Sequence, residues 1–371
     1  MQRADGTQTI DRRADELRTE LIDALAAAGA LPDPAWREAF AEVPRHLFVP
    51  HYYEISGVRT GRDNRTESWL HGVHTDRALV TRRWGGEPVS SSSQPSLMAT
   101  MLDQLEVTDN SRVLEVGTGT GYNAALLAHR LGDSKVTSVD VVPELTAAAR
   151  AHLADAGYQP VVVTADGGLG WAERAPYDRI IATCRIDRVP PPWLEQLNEG
   201  GLIVAPLGLA LVKLRRTGDQ RGEGRFLGEA YFMPLRTAAE LHPHPKAPAE
   251  PSEKDRRPAA LPPEAVGDTG FRFLASLLEP GLTWRADLSD APQSVCVRAD
   301  DGSTAHRYPD GTVAEAGPRK VWTRLEAAHR DYAAAGRPGP ERYGITVDGP
   351  RQSLWLDSPD GPHWVLPESR G

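Results

Sequence analysis

The sequence predicts an α/β fold, built on one mostly parallel sheet with helices on both faces. Helices precede this sheet, and a small α+β unit follows it. Three observations carry the prediction. Short β-branched and apolar runs alternate with Ala- and Leu-rich runs between residues 113 and 207, the pattern of consecutive βαβ units. A glycine turn, Gly117-Thr118-Gly119-Thr120-Gly121, joins the first of these strands (111–116) to the first of these helices (123–131). The next strand, 135–140, ends in an acid, Asp140.

Backbone without Cβ turns sharply and lets a ligand approach closely, and the first N–H groups of a helix have no partner inside it. The turn is therefore a nucleoside-type site. A dinucleotide fingerprint, G-x-G-x-x-G, needs glycine where Tyr122 stands. A phosphate-cradling loop needs Lys followed by Ser or Thr, which the segment lacks. Instead an acid, Glu115, stands two residues before Gly117, and the glycines read G-x-G-x-G. This is similar to the pattern of S-adenosylmethionine (SAM) methyltransferases, which implies a Rossmann-like sheet and SAM as cofactor. Asp140 falls near the ~20-residue offset of a ribose-binding carboxylate.

Upstream, Leu17, Leu21, Ile22 and Leu25 recur at helical spacing over residues 12–30, with Gly29 as a stop. A second helix begins at Asp33-Pro34. Then comes Val43-Pro44-Arg45-His46-Leu47-Phe48-Val49-Pro50. Its residues alone read as a surface loop, but "VPRHLFVP" resembles the segment before the core of protein-L-isoaspartate O-methyltransferases. Residues 51–89 are loop-rich and longer than that family's link, so they read as an insertion. His71 and His74 lie three apart there without a third ligand, and structural or substrate-contact roles are preferred to a metal.

Ser90-Ser91-Ser92-Ser93-Gln94-Pro95 precedes a further helix. Pro95 suits its first turn and the serines suit its cap. Hydroxyl and N–H groups converging at that start favour an anion, such as a carboxylate. The stretch resembles the family's "TISQP" signature, with Ser91 and Ser92 in place of Thr and Ile. The resemblance implies Ser93 as the active-site hydroxyl. It also implies cofactor contacts from Ser91, Ser92, Glu115, Gly117, Thr118, Gly119, Gly121, Asp140, Val141, Asp166 and Gly167. Asp166-Gly167 closes the third strand, where an acid contacts the adenine amine in such enzymes, although Asp-Gly is also a common turn. The fourth strand, 176–184, points its carboxyl end at the ligand crevice, and Cys184 there reads as a buried, inert thiol. The helix and strand after Pro190 resemble the family's "LKPGGRLILPVG" segment.

The domain reading is 1–89, N-terminal helices and insertion; 90–238, SAM-binding core; 239–265, Pro-rich linker; and 266–371, an α+β accessory unit. That last unit has a short helix at 271–278, strands at 293–299 and 304–308, a helix at 319–334, and a closing pair of strands. The resemblance describes it as something ordinary repair enzymes lack.

Net charge is −9 over 371 residues, which disfavours a broad nucleic-acid grip. Two distant cysteines, Cys184 and Cys296, suggest neither a disulfide framework nor a zinc site. No run approaches the ~20 apolar residues of a membrane helix, and no apolar leader follows Met1. The expectation is a cytoplasmic protein with no metal and no membrane partner, a monomer.

A carboxylate is ionised at neutral pH, given a pKa of roughly 4, so methylating one needs alignment and water exclusion more than a base. The product ester invites attack by a neighbouring amide nitrogen, giving an aspartimide. The resemblance extends to C-terminally extended enzymes of ribosomal-peptide biosynthesis (lanthipeptides, graspetides, lasso peptides). The first expectation is therefore methylation of a specific Asp in a constrained precursor peptide, giving aspartimide or isoaspartate. General repair of L-isoaspartyl residues is the alternative, and a non-catalytic SAM- or peptide-binding module the third reading.

Overall fold

The structure, a computed structural model, describes residues 2–238, 247–286 and 294–368. The expected linker at 239–265 falls outside the described residues over 239–246.

Ten strands form the central sheet. In chain order they are β1 (Val113–Val116), β2 (Val136–Asp140), β3 (Val161–Thr164), β4 (Tyr177–Ala182), β5 (Leu197–Leu207), β6 (Ala210–Gly218), β7 (Arg221–Glu229), β8 (Tyr343–Asp348), β9 (Arg351–Leu356) and β10 (His363–Val365). Their spatial order is β10-β9-β8-β7-β6-β5-β4-β1-β2-β3. Strands β1 to β5 are parallel; the rest pair antiparallel. The chain runs outward from β1 to β2 and β3, then returns to the other side of β1 to lay down β4 and β5. Strand order therefore reverses between β1 and β4, and a crevice opens beyond their carboxyl ends.

Parallel strands covered on both faces read as nearly continuous apolar runs, and every residue of β1 is buried. Alternate residues feed two cores: Ile180 and Ala182 enter one, Ile181 the other. Helices Pro34–Glu42, Pro95–Gln104 and Tyr122–Leu131 cover the second face through Trp36, Phe40, Met101 and Leu126.

The stretch 51–89 is more ordered than its composition suggests. Strands His51–Tyr53, Arg59–Gly61, Leu79–Trp84 and Glu87–Ser92 form an antiparallel sheet of their own. Helix Thr66–Val73 packs beside it, and Trp69, Leu70 and Val73 join Tyr52 and Leu79 in a small core. Ser90, Ser91 and Ser92 lie in the last strand rather than in a capping loop.

The residues expected to form a separate accessory unit from 266 onward divide in two. Residues 257–316 contain a five-stranded antiparallel sheet. Strands β8 to β10 instead extend the central sheet, with β8 paired to β7 from Arg221↔Asp348 to Arg225↔Gly344. Helix Thr269–Leu278 buries Phe271, Phe273, Leu274 and Leu277 in the same core as Trp193, Val212 and Phe226. Each such side chain stabilises by roughly 1.5–3 kcal/mol, so this region is held by a shared core. The boundary at 266 therefore marks no break in the sheet. Among the described residues no helix is long and apolar enough to cross a membrane.

Candidate active site

The crevice beyond β1, β2 and β4 is a cavity whose floor is the glycine turn. Gly117 and Gly119 adopt φ of +97° and +52°, a region L side chains rarely enter. A Cβ on Gly117 would lie 2.8 Å from Thr183 Oγ1. Beside the turn, Asp140 accepts from Gly119 N–H and Val142 N–H, both at 3.0 Å. Each carboxylate oxygen keeps acceptor capacity for a ligand hydroxyl. Burial holds the Asp140 carboxyl above the usual carboxylate range.

Glu115 is fully buried under the turn. Asn123 Nδ2 donates to one carboxylate oxygen at 2.8 Å and Ser138 Oγ to the other at 2.5 Å. Thr118 Oγ1 lies 2.6 Å from Ser138 Oγ. Burial outweighs these bonds and pushes the Glu115 carboxyl up to about 7. The chain Thr118–Ser138–Glu115–Asn123 ties β1, β2, the turn and the following helix together. Asn123 and Ser138 carried no signal in the sequence beyond being polar in apolar runs.

Ser91, Ser92, Ser93, Glu115, Gly117, Thr118, Gly119, Asp140, Val141 and Gly167 all line this cavity, whereas Gly121 and Asp166 do not. Gly121 turns into the helix against Ala149. Asp166 Oδ1 accepts from Gly168 N–H at 2.8 Å, at the turn that follows the third strand. Val116, Val139, Val142, Leu145 and Met98 supply apolar wall. Cys184 also faces the cavity, and burial pushes its thiol far above the ordinary range, as expected of an inert group.

A second cavity, a groove, adjoins the first. Ser91, Ser93, Thr183, Met233 and Pro234 wall both. Gln94, Ser96, Leu97, Arg185, Leu211 and Tyr231 line the groove alone.

The helix start at Pro95 is not an open anion site. Asp76 already caps it, accepting from Ser96 N–H at 2.8 Å and Gln94 Nε2 at 3.1 Å. The serines do not cap it, and Gln94 makes no side-chain cap.

Arg45, whose local sequence reads as surface loop, is 1% exposed. Its guanidinium donates to the carbonyls of Val73 (2.7 Å), Thr75 (3.3 Å), Arg77 (3.4 Å) and Ser93 (3.0 Å), and to Ser92 Oγ (3.3 Å). It also lies 5.8 Å from the Tyr122 ring centroid. Burial lowers its pKa to about 10, so it stays charged at neutral pH. Arg45 thereby ties the end of the serine strand to the end of helix Thr66–Val73 and the loop after it, and packs on the helix after the glycine turn. The VPRHLFVP resemblance singled out the segment without showing this contact.

His46 and His74 are buried next to each other, ring centroids 6.0 Å apart. His74 Nδ1 pairs with Leu70 O at 2.8 Å, and burial lowers its pKa to about 4. Among the described residues no three His, Cys, Asp or Glu side chains gather as a metal site.

Segment 233–236 lines the first cavity, and its Met233 and Pro234 line the groove as well. Arg185 N–H donates to Met233 O (2.8 Å) and Leu235 N–H to Arg185 O (2.7 Å). Arg236 Nη2 donates to Val89 O at 2.9 Å. This strap carries no sequence motif of its own.

A doubly wound sheet with this cavity at its switch point, a glycine turn without a phosphate-binding lysine and a strand-end acid defines a SAM-dependent methyltransferase. The residues fit that cofactor: apolar walls for an adenine, Asp140 for ribose hydroxyls, and glycine backbone where the ligand comes close. The family model described as Protein-L-isoaspartate(D-aspartate) O-methyltransferase (PCMT) matches residues 16–240. A protein-L-isoaspartate O-methyltransferase of Methanococcoides burtonii is 36% identical over 58% of this chain and 97% of its own length. One from Anaeromyxobacter sp. is 39% identical over 59% of this chain and 96% of its own. A solved protein-L-isoaspartate O-methyltransferase superposes with a TM-score of 0.53 at 25% identity, covering 89% of this chain and 96% of that one. The chain belongs to the protein-L-isoaspartate O-methyltransferase family, and it is a SAM-dependent carboxyl O-methyltransferase.

That superposition reaches well past residues 16–240, whereas the two relatives above match 58% and 59% of this chain over nearly their whole length.

Proposed function

We propose that the enzyme methylates the free α-carboxyl group of L-isoaspartyl residues in peptides and proteins. The observation that carries this reading is the position of Ser93, which walls both the cofactor cavity and the groove. A hydroxyl there holds a carboxylate oxygen in line with the methyl donor. SAM, when bound, supplies the electrophilic methyl group. Asp140, Val141 and the Gly117–Gly119 backbone would hold it, Glu115 braces the turn from below, and Ser91 and Ser92 line the same cavity. Met233 and Pro234 of the strap line both cavities and add apolar wall beside the reacting groups. No general base is needed, because the nucleophile is already ionised.

The test is transfer of labelled methyl groups to one peptide made with L-isoaspartate and with ordinary Asp. Methylation confined to the isoaspartyl form is the expected result. Methylation of neither form would end this reading.

A second reading, modification of an ordinary Asp in a constrained ribosomal precursor peptide, draws support from one feature. The groove wall at Leu227–Glu229 belongs to β7, whose far edge is paired with β8 beyond the family match. The extension thus backs the substrate side. A macrocyclic Asp peptide that is methylated faster than the isoaspartyl peptide would favour it.

A further inference from the structure

We infer that Arg185 is a specificity-determining residue, a cation that selects the ionised carboxylate of the substrate and releases the neutral ester. This rests on the reading of a carboxylate substrate in the groove.

Four observations point to it. First, Arg185 lines the groove that also contains Ser93, and it is the sole cation there among the described residues. Second, its backbone is pinned on both sides to the strap through Met233 O and Leu235 N–H, forming a parallel bridge to Pro234. The Cα therefore cannot drift, and the guanidinium is presented from a rigid base. Third, its hydrogen-bonding capacity is unspent. Nε is buried without a hydrogen bond, and the nearest carboxylate, Asp187 Oδ1, is 3.5 Å away as a loose ion pair. No hydrogen bond engages the terminal nitrogens among the described residues. Arginines elsewhere are engaged: Arg45 makes five bonds to four carbonyls and a hydroxyl, and Arg319 meets Glu279, Asp300 and Asp301. Fourth, the other anion receptor expected near Ser93, the helix start at Pro95, is already occupied by Asp76. Glu229, the other charged group of the groove, is held by the Tyr231 hydroxyl at 2.9 Å.

The loop that carries Arg185 is braced from the C-terminal strands. Gln352 Oε1 accepts from Val189 N–H at 3.0 Å, and Gln352 Nε2 donates to Val189 O at 2.7 Å. Both groups are buried, so this two-point clasp fixes the loop's far end.

The chemistry gives such a cation a direction. A carboxylate oxygen forms the new C–O bond as the S–C bond breaks, and that electron pair stays on sulfur. The substrate loses its negative charge in the same step. A guanidinium that pairs with the acid has no charge to pair with in the ester. Charge-assisted bonds of this kind contribute more than neutral ones, so Arg185 tightens substrate over product by about tenfold.

The test uses the full-length enzyme saturated with S-adenosylhomocysteine and a fluorescent isoaspartyl peptide. Its binding is compared with that of the same peptide carrying an α-carboxamide. Wild type should prefer the acid by about tenfold, Arg185→Gln should bring the ratio near one, and Arg185→Lys should retain part of it. In turnover, Arg185→Gln should raise KM with kcat and SAM affinity little changed. An unchanged acid-to-amide ratio in Arg185→Gln overturns the inference. So does a matching loss of SAM affinity or thermal stability, which would mark a purely structural role. Wild-type turnover alone reports the substrate reading. If a macrocyclic Asp peptide proves to be the methylated one, the acid-to-amide comparison is made on it, and the two ideas fail separately.

Discussion

The two halves of the site are built differently. The cofactor half comes from consecutive strand ends, with Glu115, the glycine turn, Asp140 and Gly167 all within about fifty residues of chain. Their geometry follows from a parallel sheet that must place its carboxyl ends together. The substrate half is gathered from distant places: the serine strand, Thr183 and Arg185 after β4, the end of β7, and the strap. Its parts are held by long-range bonds such as Arg45 to Ser93 and Gln352 to Val189. Secondary structure supplies the first half directly, whereas the second depends on a few buried polar side chains.

Removing such a side chain is the hardest test of that contrast. Arg45→Ala should leave several buried acceptors unsatisfied and destabilise the fold by about 4 kcal/mol, measured by denaturant unfolding. A loss below about 1 kcal/mol would show that the serine strand is held by other contacts.

The next effect is on the cofactor side and depends on pH. Glu115 has a folded pKa raised to about 7, above its unfolded value of roughly 4.3. The folded state therefore binds more protons between these values, and this contribution to stability falls as pH rises through the window. Glu115→Gln should remove that slope, worth at most about 3.7 kcal/mol. Parallel stability–pH curves for wild type and variant would refute the buried charge.

Asp140→Ala should weaken SAM binding by about 2 kcal/mol, some thirtyfold, with peptide affinity retained. Unchanged affinity by calorimetry would remove its ribose role. Ser93→Ala should have the smallest effect, about 1 kcal/mol or five- to tenfold in turnover, with SAM binding intact. If Ser93→Ala instead weakens SAM as much as Asp140→Ala does, the division between halves fails.

The same contrast explains what could be read in advance. Strand–turn–helix periodicity and the G-x-G-x-G spacing are local, so β1, β2 and the cavity floor were legible. Arg45 looked like surface because Val43–Pro50 is a short Pro-flanked segment, and its partners lie 28 to 48 positions away. Ser90–Ser93 resembled a cap because serine and proline precede many helices. Asp76, brought in by the small sheet, takes that role instead. The strands at 343–356 were visible as alternating runs, but alternation tells which face is buried, not which edge a strand joins. So their place beside β7 could not be read.

One wall has a consequence for the order of events. Ser91, Ser93, Thr183, Met233 and Pro234 belong to both cavities at once. Ordering these residues around one ligand prepays the conformational entropy that the other would spend. Peptide and cofactor affinities are then reciprocally linked by one coupling free energy. Substituting a residue of this wall should alter that cooperativity even where each ligand, measured alone, binds as before.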